Sequence, residues 1–253
     1  MLKYFFCLLG VMLLFSCTSK KEILYLQDVD QYSNKEITYV SSKIQPNDVL
    51  RINVGALIPE SAIPYNKSTN GNGSVGSLDI MQLDGYLVSE NATIKFPVLG
   101  LISVENMTTQ QLSEYLKQEL EEGDHLINPS VDVRLINAKV TILGQVNQPG
   151  TFSFTEQNIT LLQALGYAGD LTINGKREDI KIIRYENGIQ QIAHIDLTSA
   201  DWLNGPYSFI KPNDTIIVDP NNPKVKSAGF IGNVGTVISV VSILLSTVVL
   251  ISK

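Results

Sequence analysis

Apolar and polar positions divide the chain into three parts. An apolar run fills residues 5–15, an uncharged run fills residues 228–251, and between them the pattern alternates as in strands. Ile44–Val54, the surroundings of Asp84-Gly85, the run from Phe96 to Ile102, and Ser130–Ile136 read as strands of a first unit. Among them Thr108 and Gln111 have the spacing of a capping box. The stripe Leu112, Tyr115, Leu116 and Leu120 predicts an amphipathic helix behind it, ended by Gly123. A second unit follows, with strands at Val140–Val146, Thr151–Phe154, Asp179–Tyr185, Gln190–Ile195 and the run after Pro212. Thr160 and Gln163 repeat the capping-box spacing before a short helix over Leu161–Tyr167, ended by Gly169. The predicted fold class is α+β: two small α+β units, residues 44–136 and 139–219, followed by one C-terminal transmembrane helix over 228–251. Residues 17–43 read as a polar tether and 220–227 as a short connector, made stiff by proline. Residues 56–77, rich in Pro, Ser, Asn and Gly, read as a flexible insertion. Pro-Asn-Asp occurs at 46–48 and again at 212–214, each time leading into an apolar strand.

The two ends point to a membrane. Lys3 before the first apolar run, which is too short to span a bilayer, makes residues 1–16 a signal peptide. Leu14-Phe15-Ser16-Cys17 resembles the bacterial lipobox, in which the cysteine is diacylated and becomes the new N-terminus. The alternative is a plain signal peptide with an incidental cysteine. Cys7 lies inside the discarded run, so the mature chain has no partner for an intrachain disulfide. No Asp or acidic run follows Cys17, so the expected location is the outer membrane, lipid-anchored, with the main body in the periplasm. The C-terminal run would reach about 36 Å as a helix, against a hydrocarbon core of roughly 30 Å. Gly232, Gly235, Ser239, Ser242 and Ser246 share one face of it. Small residues on one face suit close helix packing in an oligomer, or a water-lining surface; a plain single-pass anchor is the alternative.

Composition narrows the chemistry. Apolar residues make up 44% of the chain and charged residues 17%, against roughly 25% charged in soluble domains. A net charge of −6 gives no footprint for nucleic acid. His125 and His194 are the only histidines, and neither lies in a ligand-spaced motif, which argues against a metal site or a serine triad. No phosphate loop or dinucleotide fingerprint appears, so no cofactor is expected. Asp170, Glu178, Asp179 and Asp196 are imaginable as paired acids, but turns and strand ends account for them equally well. Trp202 and Tyr207 have the chemistry to stack a sugar ring; packing at a loop is the plainer role. The chain is not expected to be an enzyme.

The motifs, in their order, resemble the bacterial polysaccharide-export lipoproteins of the outer membrane, the capsule and exopolysaccharide translocon family. Ile44-Gln45-Pro46-Asn47-Asp48-Val49-Leu50-Arg51-Ile52 is similar to that family's opening strand. Asp84-Gly85, Phe96-Pro97-Val98-Leu99-Gly100 and Met107-Thr108-Thr109-Gln110-Gln111-Leu112 are similar to its core, and Pro129-Ser130-Val131-Asp132-Val133 to its next strand. Val140–Val146 with Pro149-Gly150, then Thr160–Leu165 through Gly169, resembles a soluble-ligand-binding β-grasp domain. The resemblance implies an export domain at 44–136 and a β-grasp domain at 139–219. It also implies a ring-shaped homo-oligomer that conducts polysaccharide unaltered, final helices that form a barrel through the outer membrane, and an inner-membrane polysaccharide co-polymerase as partner. The runner-up is a non-pore envelope lipoprotein whose β-grasp domain binds glycan or a protein. The chain has room for one β-grasp unit where longer family members carry two or more.

Overall fold

The computed structural model describes residues 23–32, 36, 39, 41–67, 84–186, 188–227 and 234–251. The signal peptide, Cys17, Gly232 and residues 68–77 of the insertion lie outside the described residues.

Strand β1, Val49–Gly55, starts directly after the first Pro-Asn-Asp turn and buries Leu50, Ile52 and Val54 while Arg51 and Asn53 face outward. A single turn of helix, α1, follows at Pro59–Ala62. Strands β2 (Tyr86–Leu87) and β5 (Ser130–Leu135) flank β1 in an antiparallel three-stranded sheet. The run expected to be one strand at Phe96–Ile102 is instead the bend of a hairpin, β3 (Thr93–Phe96) to β4 (Gly100–Ser103). Val98 and Gly100 both take positive φ there, which reverses the chain between two strands. Helix α2, Thr109–Glu122, begins with the predicted capping box: Thr108 Oγ1 accepts from the Gln111 amide and Gln111 Oε1 from the Thr108 amide. Leu112, Leu116 and Leu120 are fully buried, whereas Tyr115 lies at the margin of the stripe, partly in solvent.

The second core is built on a five-stranded sheet in the order β10-β9-β12-β6-β7. Its strands are β6 (Lys139–Gly144), β7 (Gly150–Ser153), β9 (Gly175–Glu186), β10 (Ile189–Ile195) and β12 (Thr215–Pro220). Only the β12–β6 pair is parallel. A small β8–β11 pair (Ile159–Thr160 with Phe209–Ile210) sits beside helix α3, Leu161–Tyr167, which opens with the second capping box. At Gly144 the two central strands come so close that a Cβ would stand 2.0 Å from the Val218 carbonyl oxygen, at a φ of +93°. No side chain fits there, which explains the glycine of Leu143-Gly144-Gln145 physically.

Residues 24–32 are not a free tether. Leu26 and Gln27 amides bond the carbonyls of Leu197 and Thr198, the Ala200 amide bonds Asp28 Oδ1, and Tyr25 and Leu26 pack on the second core. The connector is likewise ordered, with helix α4 at Asn222–Ser227. The predicted 24-residue span is described as helix α5 only from Val234 to Ile251, 18 residues, or about 27 Å at 1.5 Å per residue. Among the described residues no helix is long and apolar enough to cross a membrane. Residues 228–233 of the predicted span lie outside the described residues, and the described part alone does not carry the expectation of one spanning helix.

The two cores touch through Leu135, which packs against both. Beside it the Asn137 side chain accepts from the Val49 amide (2.8 Å) and donates to the Asn47 carbonyl (3.0 Å), tying the junction to the first Pro-Asn-Asp turn.

Candidate functional site

The two Pro-Asn-Asp turns fold alike. Asn47 and Asn213 take φ of 70° and 68°. Asp48 Oδ2 accepts from the Gln45 amide at 2.8 Å, and Asp214 Oδ2 from the Lys211 amide at 2.9 Å. The aspartate thus closes its own turn, and positive φ selects asparagine before it. The environments differ. Asp214 is 1% exposed and receives Arg184, whose guanidinium also donates to the Pro206 and Phe209 carbonyls. Asp48 is buried with no cation beside it, and burial pushes its carboxyl up to about 6.

Three of the four candidate acids have local work. Asp170 accepts from the Tyr25 hydroxyl and the Leu171 amide, and Asp196 from the Thr198 amide and hydroxyl. Glu178 is exposed on β9. Asp179 pairs with His194 Nδ1 at 2.5 Å and with Lys176 at 2.9 Å, contacts that hold its carboxyl below the usual range. His194 stands opposite Lys181 across the β9–β10 pair, which makes Asp179 its diagonal neighbour. Sequence spacing does not show this pair, because only the hairpin register creates it. His125 is exposed on the first unit, with its ring edge-on to Tyr65. Among the described residues no group of His, Cys, Asp and Glu side chains is placed to hold a metal ion.

Trp202 lies in the second core and is not available to stack on a ligand. Tyr207 is covered on one face by Arg184, whose Cζ is 4.5 Å from the ring centroid, and its hydroxyl donates to Gln191. Beside this loop a cleft of about 290 Å³ is lined by Ser42, Asn158, Asn204 and Phe209 among others, with Tyr39 against Phe209 at its edge.

On α5, Ser239 and Ser246 do not present free hydroxyls. Ser239 donates to the Gly235 carbonyl and Ser246 to the Ser242 carbonyl, both at 2.8 Å, and Thr247 donates to Ile243. Internal bonds of this kind hide the polar groups from an apolar surrounding. The stripe residues Gly235, Ser239, Ser242 and Ser246 are exposed, as are Ile238, Val241, Ile243 and Leu250. Gly232 and Cys17 fall outside the described residues.

Comparison with known proteins identifies this scaffold. The sequence pattern of the family described as "Polysaccharide biosynthesis/export protein" matches residues 38–136, and that of the SLBB domain matches residues 139–192. The EPS I polysaccharide export outer membrane protein EpsA of Ralstonia solanacearum is 25% identical over 203 residues, which cover 76% of this chain and 51% of that protein. The protein of the same description from Ralstonia nicotianae is 31% identical over 108 residues, 40% of this chain and 27% of the relative. The chain therefore spans about half the length, or less, of the curated relatives it matches. That family supplies transport components and not enzymes. With the export pattern over the first core and the SLBB pattern over the second, the chain belongs to the polysaccharide biosynthesis/export protein family.

Proposed function

We propose that this protein is an outer-membrane export component that passes capsular or extracellular polysaccharide from periplasm to cell surface. In this reading Cys17 carries the lipid and the main body stands in the periplasm. Copies assemble as a ring, and an inner-membrane polysaccharide co-polymerase delivers the polymer. The observation that carries the reading is the succession of an export-family unit, an SLBB unit and an uncharged helix with self-bonded serines. Helices with Gly and Ser on one face pack closely through van der Waals contact, a gain that lipid tails do not match. The stripe Gly232, Gly235, Ser239, Ser242 and Ser246 is assigned to oligomer packing or to the pore wall.

A specific observation favours a second reading. The cleft of about 290 Å³ lined by Asn158, Asn204 and Phe209 on the second unit suits a non-pore envelope lipoprotein whose β-grasp unit binds glycan or a protein. Replacing Gly235, Ser239 and Ser242 together with Leu separates the two. The export reading expects the detergent-extracted oligomer to fall apart or lose its channel, and surface polysaccharide to drop while the lipoprotein still reaches the membrane. Unchanged oligomers with unchanged surface polymer support the second reading.

A further inference from the structure

The loop from Asp170 to Arg177 receives the chain at both ends. From the N-terminal side, the Tyr25 hydroxyl donates to Asp170 at 2.5 Å, and the Arg177 guanidinium lies 5.2 Å from the Tyr25 ring centroid. From the C-terminal side, the Asn221 amide donates to the Asn174 carbonyl at 2.7 Å, and Asn221 Nδ2 to the Ile173 carbonyl at 3.1 Å. The loop is stiff: Arg177, 5% exposed, donates to the Thr172 and Gly175 carbonyls, and the Gly175 amide bonds Thr172. Only seven peptide steps join Cys17 to Leu24, and seven more join Ser227 to Val234. Neither stretch can exceed about 25 Å when fully extended. Loop 170–177 is therefore held near both points at which the chain turns to the membrane.

The segments that meet there expose apolar side chains without covering them. Leu24 is 54% exposed, Ile173 60% and Val225 56%. Exposed apolar tips on segments that lead to membrane anchors are the composition of an interfacial surface, in which apolar groups enter the headgroup boundary.

The geometry points to a lipid-facing surface on the second unit, made of Leu24, Ile173 and Val225, that rests on the inner leaflet of the membrane that holds the two chain ends. This inference rests on the proposed lipidation of Cys17 and membrane insertion of α5. It adds which part of the globular body touches lipid, and it fixes loop 170–177 as the membrane-proximal end.

Single cysteines at Ile173, Val225 and Leu250, with Ile127→Cys at an exposed site on the first unit as the control, test it in the lipidated full chain. Each variant is labelled with an environment-sensitive fluorophore and reconstituted in vesicles of phosphatidylethanolamine and phosphatidylglycerol carrying headgroup nitroxides. Reporters at 173 and 225 should lose most of their emission, at a depth of roughly 5–10 Å, while the reporter at 127 keeps its own. Quenching at 250 with none at 173 and 225 overturns the inference and leaves the membrane role of α5 standing. No quenching at any position overturns both. If 173 and 225 are shielded from water but not quenched by lipid, a second copy of the chain covers the patch, and the lipid assignment falls.

Discussion

Asp48 and Asp214 close the same turn, yet only Asp214 has a guanidinium beside it. Asp48 stays near 6 when folded, above its ordinary 3.8, so the fold prefers its protonated form. A carboxyl raised in this way adds stability that is complete below about pH 4 and is lost as pH rises through about 6. Asp48→Asn keeps an acceptor for the Gln45 amide and removes the charge. Urea midpoints of the detergent-solubilised chain should then lose a slope on the order of 3 kcal/mol between pH 4 and 7. An unchanged slope in the variant would assign the pH dependence elsewhere. Arg184 makes the other case different: burial also pushes the Asp214 carboxyl up, but here a guanidinium stands against it to offset the shift, with Asp214 only 1% exposed. Arg184→Met leaves Asp214 buried without its cation and should cost roughly 3–5 kcal/mol, whereas replacing both residues with apolar ones costs much less. Equal losses in the single and double variants would refute that account.

At the scale of elements, α2 separates local from tertiary stabilisation. Thr108→Ala removes the cap and should cost about 1 kcal/mol, while Leu116→Ala opens a cavity in the first core at roughly 2–5 kcal/mol. Denaturant unfolding of the two variants checks the order, and a cap variant that costs more than the core variant would reverse it. Both capping boxes were readable from the sequence because each lies within four residues, as were β1, β12 and the Asp179–Ile195 hairpin, where periodicity and turn residues agree. The bend at Val98 was not readable. Positive φ at a β-branched residue goes against local preference and is held by pairing between β3 and β4. The docked segment 24–32 has no periodicity, since its order comes from bonds to residues about 170 positions away. The Asp179–His194 pair was hidden for a similar reason: each residue looked ordinary alone, and register brought them together. The stripe on the last helix was legible as spacing. Its hydroxyls bonding backward to Gly235 and Ser242 was not, since a serine rotamer leaves no mark on the sequence.

At the scale of the molecule, the junction between the cores has a consequence for unfolding. Two cores on one chain ordinarily melt as two transitions, with the weaker lost first. Here Leu135 ends a strand of the first sheet and also packs on the second core, and the Asn137 amide grips the backbone of Asn47 and Val49. Losing either core strips the other of a flank, so the free energy of one depends on the state of the other. Calorimetry of the full chain should show one cooperative transition. Leu135→Ala combined with Asn137→Ala should split it into two, with the midpoint of the less stable half moving down the further. Two peaks in the unaltered chain would mean that the halves melt independently. A single peak means that a local injury anywhere in the two-core body, even at a distant loop, is shared by the whole subunit and is felt as a change in how long it survives.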